Sequence, residues 1–110
     1  MSGLWPAFAV LSVTVLLGGW LLMRRRGWVG VAHAASGAIG LAAGVWAWRH
    51  GALGGVFAAD AIWLLAAGLA AGTVLGIGAL RRRRPADAVL VLHIALAGIG
   101  YLLLAGFAIG

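Results

Sequence analysis

Residues 21–50 read LLMRRRGWVGVAHAASGAIGLAAGVWAWRH. Arg24, Arg25 and Arg26 end one apolar run, and a second run, residues 29–48, lasts until Arg49 and His50. At a rise of 1.5 Å per residue, about 20 apolar residues in helix cross a hydrocarbon core about 30 Å thick. The second run has that length. Working outward, the same punctuation recurs. Residues 4–23 form an earlier apolar run, residues 61–80 stop against Arg81, Arg82, Arg83 and Arg84, and residues 86–109 follow. Four transmembrane helices therefore account for nearly the whole chain, and a single all-α, integral membrane four-helix bundle over residues 1–110 is expected.

Composition points the same way. Of 110 residues, 65% are hydrophobic and 9% charged, whereas a soluble domain carries roughly 25% charged residues to solvate its surface. The solvent for this chain is lipid. Lysine, glutamate and cysteine are absent, which excludes disulfides, thiolate metal sites and cysteine nucleophiles. The net charge of +6 comes from arginine alone. Because the arginines flank long apolar segments, they read as topology determinants rather than as a nucleic-acid surface.

Seven of the eight arginines fall in the connections after the first and third spans, on one side of the membrane. The positive-inside rule makes that side cytoplasmic and places both termini outside, in the inner (cytoplasmic) membrane of the cell. The first span is expected to be an N-out anchor rather than a cleaved signal, because MSGLWP has no positive charge ahead of the apolar run. Trp5, Trp46 and Trp48 fall near the outer interface, and Trp20 and Trp28 near the inner one, as an aromatic belt.

Helix three has two readings at its start. If it begins at Ala61, RHGALGGVFAA is an outer loop broken by Gly51, Gly54 and Gly55, and Asp60 is an N-cap. If it begins nearer Leu53, Asp60 lies in the membrane as a proton or cation site. Asp87, just past Pro85, is a helix-start residue.

An internal repeat carries the functional reading. VGVAHAASGAIG (residues 29–40) and VLVLHIALAGIG (residues 89–100) agree at Val29/Val89, Val31/Val91, His33/His93, Ala35/Ala95, Ile39/Ile99 and Gly40/Gly100. Both segments run outward, so the chain reads as a duplicated two-helix hairpin about a pseudo-two-fold axis along the membrane normal. That symmetry sets His33 and His93 at matching depth, roughly 10–14 Å from the arginines. Each histidine heads a stripe of small residues: Gly37, Gly40 and Gly44 after His33, Ala97 and Gly100 after His93. Such stripes let helices pack closely, and they also leave room for a flat ring.

Two neutral imidazoles on facing helices can take both axial positions of one iron. With their glycines and the four-helix form, His33 and His93 resemble the membrane b-type cytochromes, in which transmembrane helices clamp haem b between histidines. The resemblance implies that His33 and His93 ligate haem iron and that Gly37, Gly40, Ala97 and Gly100 make space for the macrocycle. It implies too that Arg24, Arg25, Arg26, Arg81, Arg82, Arg83 and Arg84 pair with the propionates. His50 belongs to the outer loop, so one bis-His haem is the maximum. A lone haem near the cytoplasmic leaflet cannot carry an electron across the bilayer. Such a protein would be an electron-transfer subunit rather than an enzyme on its own, exchanging electrons with quinone or with a larger membrane complex.

Other classes stay beside this one. In a non-catalytic accessory or assembly subunit, the histidines would only bridge helices. Two imidazoles alone leave most transition metals under-coordinated. Length, helix number and Ala61-Ile62-Trp63 are similar to the small multidrug resistance transporters, but those depend on a glutamate in the first helix, and here that helix offers only Ser12 and Thr14. Ser2, Ser12 and Ser36 lack a histidine–carboxylate relay. Gly68, Gly72 and Gly76 form a doubled small-xxx-small motif, suited to closing the bundle or to docking a second protomer or partner.

Overall fold

The computed structural model describes residues 2–24, 27–84 and 86–109. A short 3-10 turn, Ser2–Leu4, leads into α1 (Trp5–Met23), followed by α2 (Gly27–Arg49), α3 (Ala58–Leu80) and α4 (Asp87–Ile109). All four are long and apolar enough to cross a membrane. The molecule measures 42 × 23 × 19 Å, and its long axis matches a bilayer of about 40–45 Å including headgroups. The protein is a multi-pass membrane four-helix bundle.

Consecutive helices are neighbours around the bundle, and α1 also meets α4. The diagonals are α1 with α3 and α2 with α4. Packing is closest within each hairpin, α1 on α2 and α3 on α4, and glycines make it so. A Cβ built on Gly40 would stand 2.6 Å from a Leu11 methyl, and one on Gly100 would stand 3.0 Å from the Leu65 backbone nitrogen. A Cβ on Gly68 would meet the backbone nitrogen of Ala97 at 2.9 Å. Without a hydrophobic drive between helices in lipid, such close backbone approach is the main source of association.

The buried cluster lies toward the end that carries the termini. It joins Leu4 of the 3-10 turn and Ala7 and Leu11 of α1 to Ala47 of α2, to Ala58, Ile62 and Leu65 of α3, and to Leu104 and Ala108 of α4. Leu53, from the α2–α3 connection, tucks into the same cluster at 1% exposure. Among the described residues at the arginine end, Val29 alone of the core residues is fully buried, while Met23 is 82% and Leu80 86% exposed. Trp5, Trp20, Trp28, Trp46, Trp48 and Trp63 all present exposed rings, which suits lipid contact at the two interfaces.

The connections differ from the expected ones in one respect. Helix α3 begins at Ala58, with Phe57 as N-cap and no side-chain cap. Asp60 is therefore the third helical residue and not an N-cap. The loop turns at Gly55 (φ +99°), after which Ala58 N–H donates to the Gly55 carbonyl at 3.3 Å, so the helix is under way before the carboxylate. In the first turn Asp60 still complements the helix dipole. Asp87 opens α4. Both α2 and α3 end in a reversal. Gly51 (φ +78°) donates to Trp48 and Ala52 to Ala47, while Arg82 (φ +53°) donates to Ala79 and Arg83 to Gly78. Those paired bonds satisfy the last helical carbonyls. Arg82 holds a backbone shape that glycine would adopt at less cost.

A histidine pair on the bundle diagonal

Helices α2 and α4 are diagonal, and each sends one half-buried histidine toward the other. The rings of His33 and His93 stand 6.0 Å apart between centroids, with planes at 87°. Each ring is tied to the partner helix of its own hairpin. His33 Nδ1–H donates to the Thr14 carbonyl at 2.8 Å, and His93 Nδ1–H donates to the Gly68 carbonyl at 2.7 Å. A carbonyl oxygen only accepts, so Nδ1 carries the proton, and in the neutral ring Nε2 keeps its lone pair. A metal-ligating histidine shows this pattern, with the far nitrogen bonded to a carbonyl that orients the ring and raises its basicity.

Glycines set how near the rings can lie. A Cβ on Gly18 of α1 would come within 2.9 Å of His33 Cε1, and one on Gly72 of α3 within 2.8 Å of His93 Cε1. Each imidazole is pressed edge-on against the backbone of its neighbour. The two hairpins match position by position: Leu11 meets Gly40 as Leu65 meets Gly100, Thr14 O binds His33 as Gly68 O binds His93, and Gly18 faces His33 as Gly72 faces His93. The duplication extends to α1 and α3. Around His33 there is also a polar cluster, in which the Thr14 hydroxyl donates to Ser36 Oγ at 2.8 Å and Ser36 donates to the His33 carbonyl at 3.1 Å. The second hairpin has Gly68 and Leu96 at these places.

The small-residue stripes behave differently from the expectation placed on them. Gly40 and Gly100 are closed by Leu11 and Leu65, a Cβ on Gly37 would meet Thr14 Cγ2 at 3.4 Å, and Ala97 packs on Gly68. These four positions are taken up by helix packing and do not border an open slot. The groups that shape the space around the rings are on the other helices, at Thr14, Gly18, Gly68 and Gly72. In α3, Gly68 and Gly72 are likewise used inside the bundle, and Gly76 has nothing within 4 Å.

The two rings are a pair of imidazole donors 6.0 Å apart between centroids, and the small residues expected to seat a macrocycle between them are filled by helix packing. Among the described residues no group of three or more His, Asp, Glu or Cys comes together as a cage for a bare metal ion.

Of the arginines expected beside the pair, Arg25 and Arg26 lie outside the described residues, and Arg24 is exposed at the end of α1. Arg81, Arg83 and Arg84 instead line a groove between the ends of α3 and α4. His50 stacks on Trp46 at 4.4 Å, away from the pair. Asp60 borders an open apolar groove with Phe57, Trp63, Leu64, Ala67 and Leu103. Ser12 bridges α1 to α4 through the Tyr101 hydroxyl at 2.7 Å, and Tyr101 stacks on Phe8. No repeat relates Ser12 to Tyr101, so the sequence carries no signal for that contact. Compared with family models, with curated proteins and with solved structures, the chain matches none.

Proposed function

We propose that the protein is a small membrane haem-binding subunit that holds haem b between His33 and His93 and passes electrons. The observation that carries this reading is the meeting of the two histidines on the bundle diagonal, 6.0 Å apart, each with Nδ1 engaged by a carbonyl. A histidine that only staples a hairpin has no need to face its twin across the axis. The haem would supply the one-electron chemistry. The chain's own residues do the rest: Thr14 and Gly68 carbonyls hold the rings in one tautomer, Gly18 and Gly72 fix their edges, and the apolar bundle keeps the surroundings at low dielectric. The arginine end is the cytoplasmic side of the inner membrane on the positive-inside rule. A single centre in that half serves electron exchange with quinone or with a larger membrane complex.

A second reading, an accessory subunit with structural histidines, is favoured by the close seating of each ring on Gly18 or Gly72. Visible spectra of the purified protein, oxidised and reduced, separate the two. A low-spin spectrum lost in His33→Ala and equally in His93→Ala, with the double variant little worse than either, is expected of residues that act as a unit. A colourless protein that takes up no haem would overturn the haem reading in favour of the accessory one, and a full low-spin spectrum in His33→Ala would dismiss the pairing of His33 with His93 and with it this assignment.

A further inference from the structure

The groove between the arginine ends of α3 and α4 has a volume of about 320 Å³, with apolar walls that include Val74, Ile77 and Val89 and a rim of Arg81, Arg83 and Arg84. The reversal at the end of α3 assembles this rim. With Arg82 in the left-handed conformation (φ +53°), Arg83 N–H returns to the Gly78 carbonyl at 2.8 Å, and the chain folds back beside the helix end instead of running on. Three arginines thus border one apolar cleft. Asp87, the nearest acidic residue in sequence, is not among the groove's lining residues.

We infer that this groove binds one anionic phospholipid, its phosphate on Arg81, Arg83 and Arg84 and an acyl chain along Val74, Ile77 and Val89. Guanidinium forks suit phosphate oxygens, and basic pockets between transmembrane helices attract anionic headgroups. The walls decide the source. A soluble phosphate would satisfy the arginines but leave an apolar cleft empty, whereas a phospholipid fills both halves. This assignment stands without the haem reading.

The test uses the full chain, delipidated in a neutral detergent, with native mass spectrometry of retained lipid. Phosphatidylglycerol should be held at least about tenfold more tightly than phosphatidylcholine of the same acyl chains, since a difference of that size needs little more than one good charged hydrogen bond. The Arg83→Gln/Arg84→Gln variant should erase the preference, and Arg49→Gln, at the far end of α2, should keep it. If the double variant fails to fold, Gly78→Leu decides. Its Cβ meets nothing within 4 Å, and its added bulk enters the groove, so it should lower phosphatidylglycerol retention without unfolding the helix. Equal retention of the two lipids would overturn the assignment, as would an unchanged preference in these variants or displacement by inorganic phosphate alone. Loss of phosphatidylglycerol on loading with haem would give the rim to the cofactor's carboxylates and overturn it too.

Discussion

The contact between Gly72 and His93 offers a sharp test of how the site is built, through Gly72→Ala. The new Cβ would stand 2.8 Å from His93 Cε1 and 3.0 Å from Nδ1. Ordinary carbon contacts lie near 3.5–4.0 Å, so ring or helix must shift by roughly 0.7 Å. The His93–Gly68 bond, now 2.7 Å, stretches to the limit of a hydrogen bond under that shift. Losing it costs about 1 kcal/mol, and overpacking a close-fitted interface adds typically 1–3 kcal/mol. The expected loss is about 2–4 kcal/mol. Gly76→Ala, one turn further along the same helix, meets nothing within 4 Å. It should be neutral, or stabilising by up to about 1 kcal/mol from helix propensity. Reversible unfolding in mixed micelles by titration with a denaturing detergent measures both, and the imidazole nitrogen shifts of His93 report the bond. If Gly72→Ala is as stable as Gly76→Ala, and the Nδ1 signal is unmoved, the edge-on seating of the ring is refuted.

Two further outcomes follow from the same geometry. Ser12→Ala and Tyr101→Phe should couple in a double-mutant cycle by about 0.6 kcal/mol, the average found for interhelical hydrogen bonds in a membrane protein, and strictly additive losses would show that the 2.7 Å contact has no energetic weight. Arg82→Gly should stabilise the bundle by about 1 kcal/mol, because glycine adopts φ +53° without the Cβ penalty, and it should leave phosphatidylglycerol retention intact. A destabilised variant would mean that the Arg82 side chain makes contacts worth more than the strain.

Much of the fold was legible because lipid imposes one rule on every span. Apolar length and arginine punctuation are enough to mark four helices when backbone groups must all be satisfied within a helix. The start of α3 was less legible. Asp60 is a good cap by type, but Gly55 could end the turn earlier and let two alanines begin the helix. The site was half legible. His33 and His93 share a local motif, so their pairing follows from the duplication. Their backbone partners do not, since a carbonyl oxygen carries no residue identity, and Thr14 and Gly68 have no side-chain chemistry in common. The stripes misled for a related reason. Glycine at helical spacing reads equally as space for a ligand and as space for another helix, and only the seating of Leu11 and Leu65 decides between them.

The difference between the two halves narrows what the histidines require. Around His33 the hydroxyls of Thr14 and Ser36 form a linked polar cluster, while His93 has glycine and leucine at the matching positions. Three features are common to both halves: the Nδ1 bond to a backbone carbonyl, the glycine against Cε1, and the leucine closing the glycine two turns along. Hydroxyls near a ring would be needed twice if proton exchange with the site were its purpose, because each imidazole would need its own route. Ring position and tautomer are instead what both hairpins reproduce. Position and tautomer are also what axial ligation demands, since a ligand nitrogen must be deprotonated and aimed along one line. The polar cluster then acts within the first hairpin alone, tying α1 to α2 where the second hairpin relies on Gly68 pressed against Ala97.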